Sequence, residues 1–231
     1  MNARRCQSSR HLTLLGSSKL QDRQTAMRKI VSFSLYNNIP LYNEGAIENA
    51  ELVKEIYPGW TARFYVDYTV SADVISRLEE KGSEIIYVGA DNLGPMYGRY
   101  WRFWVAGDED VERFIVRDAD SRLNSREKAA VDDWILSGKK FHVMRDSVHH
   151  RTRVLGGMWG GQCSSVPNMR YLTDSWGRYA KVGECDRFVS EVIYPLMLDS
   201  YICHDSRNYF NDDAVPFPAH PPFRERVSLG R

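Results

Sequence analysis

Cysteine is scarce and scattered in this sequence. Its four copies, Cys6, Cys163, Cys185 and Cys203, form no Cys-x-x-Cys pair. That excludes the usual zinc ribbons and a disulfide-stapled secreted scaffold, and it favours a reduced, cytoplasmic protein. No apolar run approaches ~18 residues, so no transmembrane helix is expected. Net charge is almost absent: 31 Lys+Arg stand against 30 Asp+Glu, leaving +1 over 231 residues. A globally basic nucleic-acid binder and a strongly acidic chain are both excluded. No internal repeat is present. The run Gly156–Gly161 fits neither a Walker loop nor Gly-x-Gly-x-x-Gly.

What is present is apolar and aromatic. The chain is 43% hydrophobic, with six Trp, thirteen Tyr and nine Phe. Such residues fill cores and also stack on sugars and bases. A chain of this length buries roughly 70–75% of its unfolded surface, enough for one domain without staples. Residues 1–28 stand apart. They carry Arg4, Arg5, Arg10, Lys19, Arg23 and Arg28 against the single acid Asp22, with no sustained periodicity. They read as a flexible basic tail, as a transit-like leader, or as an upstream start ahead of Met27. The domain proper is 29–231.

From Lys29 strand and helix signals alternate. Strands are expected at Ile30–Leu35, Thr61–Val66, Glu84–Val88, Arg113–Val116 and Phe141–Met144, with a short one at Tyr201–His204. Helices are expected from a cap at Asn43 to Ile56, from Ser71 to Gly82, over Met96–Ala106, after Asn124 with Glu127 completing a capping box, and over Glu184–Tyr194. This alternation predicts an α/β fold with a mostly parallel central sheet flanked by helices, and a less regular C-terminal part. In such sheets ligands bind at the carboxyl ends of the strands.

The chemistry-bearing residues fall after strands. Asp118 and Asp120 end the fourth strand and offer two hard oxygen ligands near one point, suited to Mg²⁺ or Mn²⁺. The same spacing also occurs in exposed turns, where Arg117 or Arg122 would neutralise an acid. Arg99 and Arg102, one turn apart, suit phosphate oxygens or simply form a solvated helix edge. Gly156–Gly161 is expected to be a glycine-rich loop that lets a ligand approach, with Trp159 stacking on a sugar or serving the core. His149 and His150 are adjacent and read as a surface pair. His204 is isolated in sequence.

The ordered set resembles glycosyltransferases of the GT-A fold. It comprises an aromatic-x-Arg helix, an apolar strand, Arg117-Asp118-Ala119-Asp120-Ser121-Arg122-Leu123-Asn124, Gly156-Gly157-Met158-Trp159-Gly160, then Asp186 and His204. It is similar to glycogenin-like and bacterial lipopolysaccharide galactosyltransferases, and to small bacterial and viral glycosyltransferases, over roughly residues 29–210.

The resemblance implies transfer of a sugar from a nucleotide-diphospho-sugar, above all a UDP-sugar, to a glycan or lipid-linked hydroxyl acceptor. It implies Mn²⁺ or Mg²⁺ held by Asp118, Asp120 and His204. Ser34, Tyr36, Asn37 and Asp67 would hold the base. Arg99, Arg102, Asp118, Gly157 and Trp159 would contact the donor. Asp186 would lie near the reacting carbon, with Asp146 as another candidate base. One departure is plain: the family's Asp-Gln pair reads Asp186-Arg187, which leaves the stereochemistry open. A nucleotidyltransferase or other metal-dependent phosphate enzyme, and a catalytically impaired nucleotide-sugar-binding protein, are the alternatives.

The reading of residues 1–28 has a direct test. A chain beginning at Met27 is expected to fold with a melting temperature within a few degrees of the full chain. A large loss of thermal stability would show that the leading segment packs on the domain.

Overall fold

The computed structural model describes residues 27–89, 97–147, 150–162, 165–177, 184–210 and 212–219. Strands β1 (Arg28–Leu35), β2 (Thr61–Val66), β3 (Glu84–Tyr87), β4 (Val111–Val116), β5 (Phe141–Arg145), β6 (Trp159–Gln162) and β7 (Tyr201–Asp205) form one sheet, in the order β3-β2-β1-β4-β6-β5-β7. Only β6 runs antiparallel to its neighbours β4 and β5; the other pairings are parallel. The expected α/β fold with a mostly parallel sheet is therefore what the chain adopts.

Period-two alternation along β1 sorts the two faces. Val31, Phe33 and Leu35 belong to one core with helices α1 (Pro40–Ile56) and α2 (Ala72–Glu80), joined by Val131 and Trp134 of α4 (Ser125–Ser137). Ile30 belongs to the other, an aromatic core. There Tyr97, Tyr100 and Trp101 at α3 (Gly98–Trp101), with Phe103, meet Phe114, Trp159 and Phe188. Helices α5 (Met169–Gly177) and α6 (Glu184–Phe188) complete that side. Burying both faces is what allows a parallel sheet of near-continuous apolar strands.

Local chemistry explains most boundaries. Ser71 caps α2 by accepting from the Val74 amide. Asn124 caps α4 by accepting from the Glu127 amide, and its own amide group donates to the Glu127 carboxylate. Asn43 does not cap α1. The helix starts one turn earlier, after Ile39, because Pro40 sits at the first position, where its fixed φ suits a helix and its missing N–H costs nothing. Asn43 is buried within the helix and donates to Asn38.

The aromatic stretch before β4 is not one helix but the single turn α3 followed by a 3-10 turn, Trp104–Gly107; Met96 lies outside the described residues. Gly160 and Gly161 are not loop residues. They belong to β6, where a Cβ on Gly160 would meet the Phe114 carbonyl oxygen at 2.5 Å and one on Gly161 would press on the Phe114 ring. Helix α5 was not anticipated. The run after Glu184 continues past α6 through a π-helical turn, Val189–Ile193, into α7 (Tyr194–Met197), whose first turn accepts Pro195. Arg28, assigned from sequence to the tail, opens β1 and pairs with Glu84 and Asp110; residues 1–26 lie outside the described residues. Among the described residues no helix is long and apolar enough to cross a membrane.

A histidine relay sits inside the sheet. His142 of β5 and His204 of β7 are fully buried, with His142 Nε2 2.9 Å from His204 Nδ1 and His204 Nε2 3.1 Å from the Asp133 carboxylate. Asp133 can only accept, so His204 Nε2 carries a proton and its Nδ1 accepts from His142. Burial holds both rings below the usual histidine pKa; for His204 the Asp133 carboxylate opposes that shift. The neutral rings thus belong to the folded state, and the unfolded chain binds more protons below about pH 6.5. Stability is expected to fall as pH drops from 7.5 to 5.5, by up to about 1.4 kcal/mol per pH unit for each histidine. Urea titrations across that range should show the slope, and His142→Gln should reduce it; an unchanged slope would remove the histidines from the account.

Candidate active site

The carboxyl ends of β1, β2 and β4 emerge on one edge, because these strands are parallel. A cavity of about 520 Å³ opens there. It is lined by Ser34 of β1 and by Tyr36 and Asn37 following it, by Ile39 and Tyr42 at the start of α1, by Arg99 and Arg102 around α3, by Asp118, Asp120 and Ser121 after β4, and by Cys185 and Asp186 of α6. Most of the residues expected at a donor site thus converge from segments far apart in sequence.

Arg102 organises this floor. Its side chain is only 7% exposed, and Nη1 donates to the Arg117 carbonyl at 3.1 Å and to Asp118 Oδ1. Its backbone is held to β1 at both ends: the amide donates to Ser34 Oγ at 3.0 Å, and the carbonyl accepts from Ser32 Oγ at 2.7 Å. The serines of the strand's polar positions therefore fix the arginine, and the arginine fixes one oxygen of Asp118. Arg99 is less buried and lies against Tyr36, whose phenol is pushed up in pKa by burial while Arg99 partly offsets the shift. Asp120 is exposed.

The turn before β6 is shaped around Asp118. A Cβ on Gly157 would lie well inside van der Waals contact with Asp118 Oδ2, so only glycine lets this turn close over the carboxylate. Beside it the Gly156 amide donates to Asp186 Oδ1 at 2.7 Å. The glycine run was expected to let a ligand approach; what the structure shows is Gly156 and Gly157 approaching the side chains of Asp186 and Asp118.

A second cavity, about 390 Å³, adjoins the first and shares Asp118, Ser121 and Asp186 with it. Its other lining residues include Arg117, Glu127, Asp146, His150, Leu155 and Met158. Arg117 Nε donates to Glu127 at 3.1 Å, both side chains being buried. Burial raises the Glu127 pKa, and Arg117 opposes the rise. Asp146 lies 3.2 Å from His150 Nδ1, and that hydrogen bond holds its carboxyl below the usual range. His150, read from sequence as a surface residue, thus faces a site; His149 lies outside the described residues.

Three sequence expectations require correction. Trp159 does not stack on a ligand: it is fully buried on β6 against Phe103 and Phe114. Asp67 does not line the cavity but accepts from Thr69, whose hydroxyl receives the Asn37 amide, so it supports the β1 loop from behind. His204 does not join the acids. Strand β7 lies three strands from β4 in the sheet, about 14 Å at the usual spacing, and both of its ring nitrogens are engaged by His142 and Asp133. Among the described residues no group of three or more His, Cys, Asp or Glu side chains is placed to hold a metal ion. Ile39, Tyr42 and Cys185 were not singled out for a site, and His150 was read as a surface residue; only the fold brings them to the cavities.

No family model matches the sequence, and no curated protein matches it. Solved structures do show likeness. A mycobacterial protein matches with a TM-score of 0.41 at 10% identity, over 60% of this chain and 54% of that one, so the chain spans about half of that match. Glucosyl-3-phosphoglycerate synthase from Mycobacterium tuberculosis, in complex with phosphoglyceric acid, matches with a TM-score of 0.47 at 10% identity, over 86% of this chain and 74% of that one. The same synthase with Mn²⁺, UDP and glucosyl-3-phosphoglycerate gives the same values. Likeness at this level identifies no family, and function must be read from the site.

The two glycines make different demands. Gly157→Ala is expected to turn Asp118 away from Arg102 and to cost about 1–3 kcal/mol. Gly156→Ala, whose Cβ would meet Arg102 and Asp186 at 3.2 Å, should cost less. Denaturant titrations of both variants check the order; equal losses would mean the turn does not close on Asp118.

Proposed function

We propose that the chain is a metal-dependent glycosyltransferase that moves a sugar from a nucleotide-diphospho-sugar to a hydroxyl acceptor. The observation that carries the reading is the gathering of Asp118, Asp120, Arg99, Tyr36 and Asp186 in one cavity at the carboxyl edge of the sheet. Asp118 and Asp120 are the residues that would hold a divalent cation. Mg²⁺ and Mn²⁺ are commonly held by one or two carboxylates, with substrate phosphates and water completing the shell, so the pair fits without His204. When bound, the cation supplies Lewis acidity that offsets charge on the departing diphosphate.

The protein's own groups supply the rest. Asp118 keeps one orientation because Arg102 holds it, and Arg102 is thereby committed to the carboxylate. Arg99, less buried and on the same wall beside Tyr36, is the cation we assign to meet a phosphate. Tyr36 and Tyr42 offer ring surface for a base. Asp118 and Asp186 are the carboxylates common to both cavities; Asp118 is committed to Arg102, which makes Asp186 the better candidate to face the reacting carbon or to take the acceptor proton. Asp146 is the poorer base, because the His150 hydrogen bond that lowers its pKa also lowers its proton affinity. Arg187, standing where the resembling family has glutamine, is turned to Glu184 and Glu191 and does not line the cavity, so it leaves Asp186 unobstructed.

A site with two carboxylates should bind metal and nucleotide together. Calorimetry is expected to show weak Mn²⁺ binding alone and much tighter binding with UDP. Asp120→Asn should weaken Mn²⁺-dependent UDP binding at least tenfold while the melting temperature holds, and release of UDP from UDP-sugars should fall with it. Unchanged binding in Asp118→Asn and Asp120→Asn would sink the metal assignment, and pyrophosphate as the released product would turn the reading to nucleotidyl transfer.

A further inference from the structure

We infer that the second cavity is the acceptor subsite and that it takes a neutral, hydroxyl-rich saccharide rather than a phosphorylated or carboxylated acceptor. This rests on the proposed transferase reading for the cavity next to it. The position comes first: the two spaces share Asp118, Ser121 and Asp186, so a molecule in the second would meet one in the first across those side chains. At about 390 Å³ the second cavity is large enough for one sugar ring with its substituents.

Charge then selects the ligand class. The cavity is lined by four carboxylates, Asp118, Glu127, Asp146 and Asp186, and two arginines, Arg117 and Arg122. Both arginines are already paired: Arg117 with the buried Glu127, and Arg122 with Glu48 outside the cavity. Arg126, just beyond the lining, lies 3.7 Å from Asp146. Three of the carboxylates are paired in turn, Asp118 with Arg102, Glu127 with Arg117 and Asp146 with Arg126. Among the described residues an anionic acceptor would therefore find the lining arginines committed and would meet Asp186, whose printed partner is the Gly156 amide, in an unfavourable like-charge contact. Hydroxyl groups meet the opposite situation, since each carboxylate oxygen accepts a charge-assisted hydrogen bond from them.

The apolar residues fit the same guest. Leu123, Leu155 and Met158 line the cavity among its polar groups. A pyranose ring has such a division: C–H groups suited to aliphatic side chains and equatorial hydroxyls suited to Asp146, Glu127 and Asn124. His150 Nδ1 lies 3.2 Å from the Asp146 carboxylate and fixes where that wall presents its acceptor oxygens.

Saturation-transfer NMR on the full chain with Mn²⁺ and UDP tests this with maltose, lactose and cellobiose against glucose 6-phosphate and gluconate. UDP titration in the same samples reports separately on the first cavity, so its failure would count against the transferase reading and not be confused with failure of the subsite. At least one neutral disaccharide is expected to bind, with the two anions at least tenfold weaker. Leu155→Trp, which fills the cavity, should abolish the disaccharide signal. Asp146→Asn should weaken it about tenfold, the loss of one charge-assisted hydrogen bond. Tyr87→Ala, on the far edge of the sheet, should leave it intact. Absence of any disaccharide signal with UDP bound, preference for the anions, or a signal untouched by both cavity variants would each overturn the proposal.

Discussion

The ion pair between Arg102 and Asp118 is the joint on which the site depends. Four separate segments meet at it. Ser32 and Ser34 of β1 hold the arginine's backbone, α3 delivers its side chain, the end of β4 supplies the carboxylate and a carbonyl, and the Gly156–Gly157 turn closes on the far side. The guanidinium is nearly buried while the carboxylate side chain is 45% exposed. A buried arginine without its partner would leave an uncompensated charge, at a cost of roughly 3–5 kcal/mol. The orientation of Asp118 is therefore maintained by the stability of the fold itself and is present before any ligand arrives.

The same joint shows how much could be read in the chain. The apolar alternation of β1 announced Val31, Phe33 and Leu35 as one buried face, and so placed Ser32 and Ser34 on the other. The strand ending at Val116 announced Asp118 and Asp120 at a carboxyl edge. Capping chemistry at Ser71 and Asn124 was equally legible, since those bonds span three residues and no tertiary contact is needed. What could not be read were the long-range partners. Nothing local connects Ser34 to Arg102, or Gly157 to Asp118.

Where expectation failed, the cause was usually a residue with two plausible environments. Trp159 between glycines suits a ligand platform in a loop and a core position in a strand equally well; the choice was made by β4 and β5, which needed a strand narrow enough to pack under Phe114 and Phe141. His204 suits a metal or a buried relay, and the sheet order placed it beside His142 instead of the acids. His150 reads as surface until Asp146, four residues earlier, turns it toward a cavity. Asn43 lost its capping role to Pro40, whose fixed dihedral is a stronger start than an amide side chain. For Trp159, His204 and His150 tertiary geometry made the choice, while at Asn43 one local preference displaced another worth about 1 kcal/mol.

The antiparallel strand β6 has a consequence for how the molecule is assembled. β1 to β4, residues 28–116, pair with one another without outside help, each parallel strand finding a neighbour made earlier or soon after. β5 does not: it touches β4 only through β6, which follows it by more than a helical turn of chain and must slide between two strands already synthesised. Until Trp159–Gln162 arrive, the right half of the sheet has an open slot lined by unpaired backbone groups, and β7 has nothing fixed to extend. Closure of that slot is a non-local step of the kind that slows folding. It also brings Gly156 and Gly157 to the acid-bearing turn, so the cavity floor is completed by the same event that seals the sheet. On a ribosome the half carrying Arg102 and Asp118 emerges first and waits, its edge exposed, for the glycines that cover it.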